Sequence, residues 1–332
     1  MPKKARRPRI FVTQPISAHA LKRLRAVAQV KVFPDSSRII PKRALIAAVR
    51  EADILFCLLH DAIDRDVIMA NPALRMIAAQ SITPSNIDVA AASARRIPVT
   101  VTAPITTEAT ADLNFGLMLA VARRMFEGDR MVRAGQFPGG QSAHLMGSYV
   151  WRKTIGLVGG GGLIGKAVAR RAHGFSMRVL YWTPRRKPDH EEREAGLTYV
   201  PFEQLLRESD FVSLHSPLNA QTRHQIGTRE LGLMKKSAFI INTARGPIID
   251  EAALVRALKG RKIAGAGLDV FEHEPKVHAE LKRLKNVILN PHLGSATLDV
   301  REEMANIVVD NIEALLGGRM PPNCVNPQVL GQ

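Results

Sequence analysis

Thr154-Ile155-Gly156-Leu157-Val158-Gly159-Gly160-Gly161-Gly162-Leu163-Ile164-Gly165 joins a short apolar run, through four consecutive glycines, to a segment whose apolar residues Ile164, Val168 and Ala172 repeat at helical spacing. Strand, glycine turn and helix in that order form the context in which a GxGxxG spacing carries meaning. Lacking a Cβ, Gly160 and Gly162 are expected to make the tight turn. They would let a pyrophosphate approach the N–H groups of Leu163 and Ile164 at the helix start, while Gly165 lets helix and strand pack closely. The four-glycine run leaves the register open by one residue.

About 20 residues beyond such a turn, a carboxylate at the end of the second strand ordinarily accepts hydrogen bonds from the ribose 2′-OH of NAD. From Lys166 through Pro188 there is neither Asp nor Glu; Thr183, Arg185, Arg186 and Lys187 stand at that place instead. A carboxylate would repel a 2′-phosphate, whereas a hydroxyl and guanidinium forks bind one. NADPH is therefore the expected cofactor, with NADH possible. A merely solvated basic turn would leave the missing carboxylate unexplained.

Short β-branched runs alternate with helical periodicity on both sides of this unit, which makes the chain α/β with parallel sheets. Upstream, strands are expected near 9–14, 30–33, 54–59, 75–79 and 99–101, with helices near 17–28, 41–50 and 88–95. A single long helix is expected from Thr107 to Ala134, followed by a loop or arm at 135–148. Downstream, six strands are expected near 154–158, 178–181, 211–215, 238–242, 264–270 and 287–289, enough for a doubly wound sheet. A last helix, 297–316, is assigned back to the first domain. Two Rossmann-like domains follow: a smaller, flavodoxin-like substrate domain of residues 1–103 plus 296–332, and a doubly wound cofactor domain of 104–295.

The 332 residues are 46% hydrophobic and 23% charged, which excludes disorder and permits two cores. The longest apolar stretches, such as Phe115 to Ala122, are far too short to span a bilayer, and the basic N-terminus is not followed by a signal-type apolar region. A cytoplasmic protein is expected. Cys57 and Cys324 are the two cysteines and have no ligand spacing, so neither a disulfide framework nor a metal site is expected. The net charge is +17, and five of the positive charges (Lys3, Lys4, Arg6, Arg7, Arg9) lie in the first nine residues. Such a charge attracts nucleic acid or anionic metabolites alike. No DNA-reading motif accompanies it, and small anions are the favoured partner.

Three later segments each place a chemical residue just past a strand: Asn242-Thr243-Ala244-Arg245-Gly246, Asp269-Val270-Phe271-Glu272-His273-Glu274-Pro275 and Asn290-Pro291-His292-Leu293-Gly294-Ser295. Ligands of open α/β sheets bind at the carboxyl ends of strands. An Arg there can grip a carboxylate, a His can exchange a proton with a carbonyl or hydroxyl, and a neighbouring Glu favours the charged imidazole.

Together with Ile97 to Thr100, Thr107 to Leu113, Ser209 to His215 and Met234 to Glu251, these segments identify a resemblance that covers nearly the whole chain. The chain resembles the D-isomer-specific 2-hydroxyacid dehydrogenase family, most closely its glyoxylate/hydroxypyruvate reductase branch. The resemblance implies that Arg245 binds the carboxylate of a 2-oxo acid and polarises its carbonyl. It implies that His292 is the general acid and Glu274 its partner, with Glu272 outside the dyad. Formate dehydrogenases of the same fold carry Gln at the Glu274 position, which points away from formate. Asp269 would hold the nicotinamide carboxamide. Thr243 and Ala244, with Arg245, would frame the ring, Ser216, Pro217, Thr222 and Gly294 would line the cofactor, and Thr110 would face it. Ser295 and the loop residues Ile82 and Thr83 would contact substrate. A homodimer through the cofactor domain and D stereochemistry are likewise implied.

Two places depart from the family. Ser81-Ile82-Thr83-Pro84-Ser85 replaces the usual Val-Gly and aromatic, and Thr and Pro alter the loop's shape. The arm from Phe137 to Gly147 lacks the tryptophan that in related reductases reaches the partner's site. A dehydrogenase for a bulkier 2-hydroxy acid, or a dinucleotide-sensing corepressor of the same fold, are the alternative functions.

Overall fold

The computed structural model describes residues 6–331. Lys3 and Lys4 of the basic run lie outside the described residues. The chain divides into two units, Met1–Ile105 with Thr297–Gln332, and Thr106–Ala296.

The first unit begins β1 (Arg9–Val12), α1 (Ala18–Val27), β2 (Gln29–Val32), α2 (Lys42–Val49), β3 (Ile54–Leu58), α3 (Arg65–Met69), β4 (Met76–Gln80), α4 (Val89–Ala94) and β5 (Val99–Thr100). Its strands are all parallel, in the order β2-β1-β3-β4-β5. This is the flavodoxin-like order. Side-chain caps set the helix starts: Ser17 accepts from Ala20 N, Asp64 from Val67 N and Asp88 from Ala91 N. The five-residue α3 is absent from the sequence expectation, being too short to show a helical period. The basic N-terminal run is partly consumed within this unit. Arg6 reaches Asp53 at 2.6 Å, and Arg7 donates to the Arg25 and Ala26 carbonyls at the end of α1.

The second unit runs α5 (Thr107–Ala122), α6 (Met125–Arg133), β6 (Thr154–Val158), α7 (Leu163–Gly174), β7 (Arg178–Trp182), α8 (Asp189–Ala195), β8 (Thr198–Tyr199), α9 (Phe202–Glu208), β9 (Phe211–Leu214), α10 (Thr228–Leu233), β10 (Phe239–Asn242), α11 (Glu251–Lys259), β11 (Gly265–Leu268) and β12 (Val287–Leu289). Its sheet is parallel, in the order β12-β11-β10-β9-β6-β7-β8. The order reverses between β6 and β9, which creates the switch-point crevice of doubly wound folds. Seven strands stand where six were expected, because the edge strand β8 has only two residues and pairs on one side. The expected single helix from 107 to 134 is broken at Arg123-Arg124, where Arg124 adopts a left-handed conformation (φ 53°). No Gly or Pro marks that break, so periodicity alone carried the expectation across it.

α5 is buried on several faces and packs onto the sheet: a Cβ on Gly267 of β11 would fall 3.1 Å from Leu117 Cβ. Asn114 from the same helix donates to Ser213 Oγ at 2.9 Å and Thr243 Oγ1 at 3.0 Å, a buried polar tie between α5 and the ends of β9 and β10. The chain then returns to the first unit as α12 (Leu298–Leu316), capped by Thr297. Val308, Val309 and Ile312 of α12 pack with Leu24, Phe56 and Met76. Beyond it, Asn326 accepts from Val99 N, tying the tail to β5. Among the described residues, no helix is long and apolar enough to cross a membrane.

Candidate active site

The chemistry-bearing residues of the second unit collect at the carboxyl ends of β6, β9, β10, β11 and β12. At the glycine turn, the left-handed residue is Gly159 (φ 78°), one position before the Gly160 expected to make the turn. A Cβ there would lie 2.6 Å from Ser216 N, so only glycine fits between β6 and the end of β9. Gly160 and Gly165 approach each other: a Cβ on Gly165 would sit 2.4 Å from the Gly160 carbonyl oxygen. Gly162 ends the turn as the N-cap of α7 with no side-chain cap, and Leu163 and Ile164 begin the helix. Uncapped N–H groups at a helix start form an anion site. At the end of β9, Nε2 of His215 is buried with no hydrogen-bond partner among the described residues, and burial lowers this imidazole to about 4. A glycine cradle, an uncapped helix start and an orphaned ring nitrogen fit a dinucleotide across the switch point. Leu163 and Ile164 would meet its pyrophosphate.

At the end of β10, Asn242 shapes the next turn: its side chain donates to the Arg245 carbonyl at 3.0 Å and accepts from Ala244 N at 3.0 Å. Arg245 is held by a bond from Nη1 to the Ala244 carbonyl at 2.7 Å. Burial lowers its pKa, and the nearby Glu274 carboxylate opposes that shift. Gly246 must be glycine because a Cβ would fall 1.9 Å from the Phe271 carbonyl. That close approach sets the Arg245 turn against the segment leaving β11.

Glu274 and His292 meet: Glu274 Oε2 lies 2.8 Å from His292 Nδ1, each side chain 18% exposed. The other oxygen of Glu274 accepts from Phe271 N at 2.9 Å, which fixes the carboxylate on its own loop. Glu272 turns elsewhere, pairing with His224 at 2.6 Å and accepting from Glu251 N. His292 sits in the left-handed region (φ 56°), a conformation that needs support. Asp269 supplies it. The Asp269 carbonyl accepts from His292 N at 2.8 Å, and its carboxylate accepts from Leu293 N at 2.7 Å and Gly294 N at 2.9 Å. Thr110 closes the same loop from α5 by donating to the Gly294 carbonyl. Asp269 is fully buried, and burial raises its pKa against the pull of those N–H groups. Each carboxylate oxygen keeps lone-pair capacity for a carboxamide N–H as well.

The remaining expected contacts are spread around this centre. Ser216 is buried beside Gly159, and Thr222 bridges the following loop by donating to the Pro217 carbonyl at 2.6 Å and accepting from Asn219 N. Thr243 is buried under Asn114, and Ser295 follows Gly294 on the His292 loop. Thr183, after β7, donates to the Arg185 carbonyl at 2.7 Å. The Arg186 guanidinium is already engaged, by Glu192 of α8. That carboxylate lies beyond the 166–188 window and was missed; acidic residues in the first turn of a helix following a basic turn were its signal. In the first unit, Ile82 and Thr83 lie on the loop leaving β4, closed by a bond from Ser81 Oγ to the Thr83 carbonyl.

The comparisons agree on a family. Residues 115–294 match the model of the D-isomer specific 2-hydroxyacid dehydrogenase NAD binding domain. The glyoxylate reductase of Thermococcus litoralis is 45% identical over 328 residues, covering 98% of each chain. Among solved structures, a glyoxylate reductase from Paecilomyes thermophila is 32% identical with a TM-score of 0.82, covering 99% of this chain and 100% of its own. The NADPH-dependent glyoxylate/hydroxypyruvate reductase of Sinorhizobium meliloti, solved with NADP and malonate, is 31% identical with a TM-score of 0.82, covering 97% and 98%. With a glycine-turn cofactor domain and an Arg, Glu and His at its strand ends, this chain belongs to the D-isomer-specific 2-hydroxyacid dehydrogenase family and is an NAD(P)-dependent oxidoreductase.

Proposed function

We propose that the chain reduces small 2-oxo acids, glyoxylate and hydroxypyruvate first, to D-2-hydroxy acids, with NADPH as the favoured cofactor. The observation that carries the reading is the Glu274–His292 pair, set by Asp269 beside the Arg245 turn. The bound dihydronicotinamide supplies a hydride to the substrate's carbonyl carbon. Arg245 binds the substrate carboxylate, and its buried charge draws electron density toward the carbonyl oxygen. Glu274 engages Nδ1 of His292, so the proton for the new hydroxyl is delivered from Nε2. One hydride and one proton convert the carbonyl to an alcohol, and His292 is recharged from solvent. Ser295, next to this loop, contacts the substrate. Gly162, Thr222, Ser216, Pro217 and Thr243 line the cofactor, with Thr110 and Gly294 behind the nicotinamide end. Thr183, Arg185 and Arg186 support NADPH, because the strand end that would hold a ribose carboxylate holds cations instead.

A homodimer through the second unit is part of the reading. Phe126, Val132, Phe137, Met146, Tyr149 and Trp151 are exposed, Tyr149 by 75%. A groove of about 660 Å³ opens beside Phe126 and Met146, and its lining mixes these apolar side chains with the cations Arg124, Arg130, Lys282 and Arg283. Apolar surface of this kind on consecutive segments is what a second copy covers.

Initial rates of NADPH and NADH oxidation with glyoxylate, hydroxypyruvate, pyruvate and bulkier 2-oxo acids test the assignment. Fast NADPH-linked turnover of the two small acids is expected. Turnover confined to bulky substrates would move the specificity, and equal rates with NADH would remove the cofactor preference.

A further inference from the structure

The basic turn after β7 is built around a carboxylate. Tyr181 of β7 is fully buried; its hydroxyl accepts from Lys187 N at 2.8 Å and donates to Glu192 Oε1 at 2.7 Å. Glu192 in turn grips one edge of Arg186, with Nε to Oε1 at 2.8 Å and Nη2 to Oε2 at 2.7 Å. Asp189 adds a longer contact to the same Nη2 at 3.3 Å. Both Glu192 oxygens are therefore spent on the protein, and the group is 10% exposed. It is a poor acceptor for a ribose hydroxyl. The opposite end of the guanidinium, Nη1, makes no hydrogen bond among the described residues and belongs to a side chain 56% exposed.

This cluster lies against the glycine loop. A Cβ on Gly161 would fall 2.9 Å from both Cγ and Cε of Lys187, so the Lys187 stem crosses the turn that receives the pyrophosphate. Arg186 also stands 5.8 Å from the centre of the Tyr199 ring. A guanidinium clamped along one edge has little rotamer freedom left to lose when its other end meets an anion.

We propose that Glu192, assisted by the Tyr181 hydroxyl, is the positioning residue of a 2′-phosphate-selective subsite. It fixes the Nε edge of Arg186 so that the Nη1 end, together with Arg185, meets a phosphate on the adenosine ribose. The inference rests on the NADPH reading given above. The hydrogen bonds from Arg186 and Tyr181 hold the Glu192 carboxyl at about 2, so the clamp keeps its charge through the working pH range.

Calorimetric titration of the full-length protein with 2′,5′-ADP and with 5′-ADP separates the two claims. The wild type is expected to prefer 2′,5′-ADP by about tenfold or more, and Arg185→Ala to erase most of that preference. Glu192→Gln should weaken 2′,5′-ADP by about three- to tenfold while leaving 5′-ADP unchanged. In turnover, the same variant should raise the KM for NADPH without changing kcat or the KM for NADH, a split that general loosening would not produce. Tyr181→Phe keeps the ring and should show a smaller shift in the same direction, and it stands in if Glu192→Gln does not fold. A wild type without preference for 2′,5′-ADP overturns the NADPH reading. A preference that survives both variants, or a Glu192→Gln protein that binds 2′,5′-ADP more tightly, overturns the positioning role alone.

Discussion

His292, Glu274 and Arg245 stand at the ends of three different strands, and each owes its place to a neighbour of another kind. The Asp269 carboxylate holds the His292 loop, the Phe271 N–H holds Glu274, and Asn242 holds the Arg245 turn. Removing the proposed acid, by His292→Ala, is expected to lower kcat by about 10²- to 10⁴-fold. Binding of 2′,5′-ADP should stay near wild type, which calorimetry reads directly. The two glutamates two positions apart give a sharper contrast. Glu274→Gln should lower kcat by about ten- to a thousandfold, because a neutral partner no longer stabilises the charged ring. Glu272→Gln should leave turnover close to wild type, since Glu272 serves His224 and the start of α11. Steady-state rates of the two variants check this pair, and the reverse ranking would reassign the dyad. Arg245, His292 and the Glu272–Glu274 pair were legible as candidates because polar residues just past apolar strand runs stand out, and the choice of Glu274 over Glu272 came from the family resemblance. Glu192 was not: its partner Arg186 precedes it by six residues across a helix start, and Tyr181, which joins them, reads as one more aromatic in a buried strand.

At the scale of elements, the strand–turn–helix unit of β6 and α7 is expected to divide its glycines between folding and binding. Gly165 has no room for a Cβ, whereas a Cβ on Gly162 would meet nothing closer than the Gly159 carbonyl oxygen at 3.7 Å. Gly165→Ala should therefore destabilise the protein by about 2 kcal/mol or more, through forced separation of helix and strand. Gly162→Ala should cost less than about 1 kcal/mol in a urea titration yet weaken NADP binding by about tenfold, about 1.4 kcal/mol, because the methyl stands where the pyrophosphate approaches. Equal losses of stability in the two variants would contradict this division. The unit as a whole was readable from its apolar run and glycine spacing, but its register was not. Four glycines look alike in sequence, and only the backbone φ of 78° singles out Gly159 as the left-handed residue. The break at Arg124 and the two-residue β8 were hidden for a related reason, since neither is long enough, or carries a breaker, to interrupt the local pattern.

Across the whole molecule, two parallel sheets with different strand orders give each unit its own core, and the second holds Arg245, Glu274 and His292. Its stability should depend on pH through His215. Burial lowers this imidazole from 6.5 to about 4, so between those values the unfolded chain binds more protons than the folded one. Stability is then complete above pH 6.5 and falls as pH drops toward 4. Wild type should lose about 2 kcal/mol more than His215→Gln between pH 7 and pH 4.5 in urea denaturation, and equal losses would contradict it. The apolar surface of α6 and the following arm predicts a dimer in light scattering that Phe126→Glu with Tyr149→Glu converts to a folded monomer. A monomeric wild type would overturn that assignment. The central claim, that this chain performs proton-coupled hydride transfer to a 2-oxo acid through His292, is tested most directly by the NADPH-dependent rate of glyoxylate reduction, measured side by side for wild type and His292→Ala at matched cofactor saturation. Rapid turnover by the wild type and a loss of about 10² or more in the variant is the predicted result; no turnover by the wild type, or a variant as fast as the wild type, would contradict it.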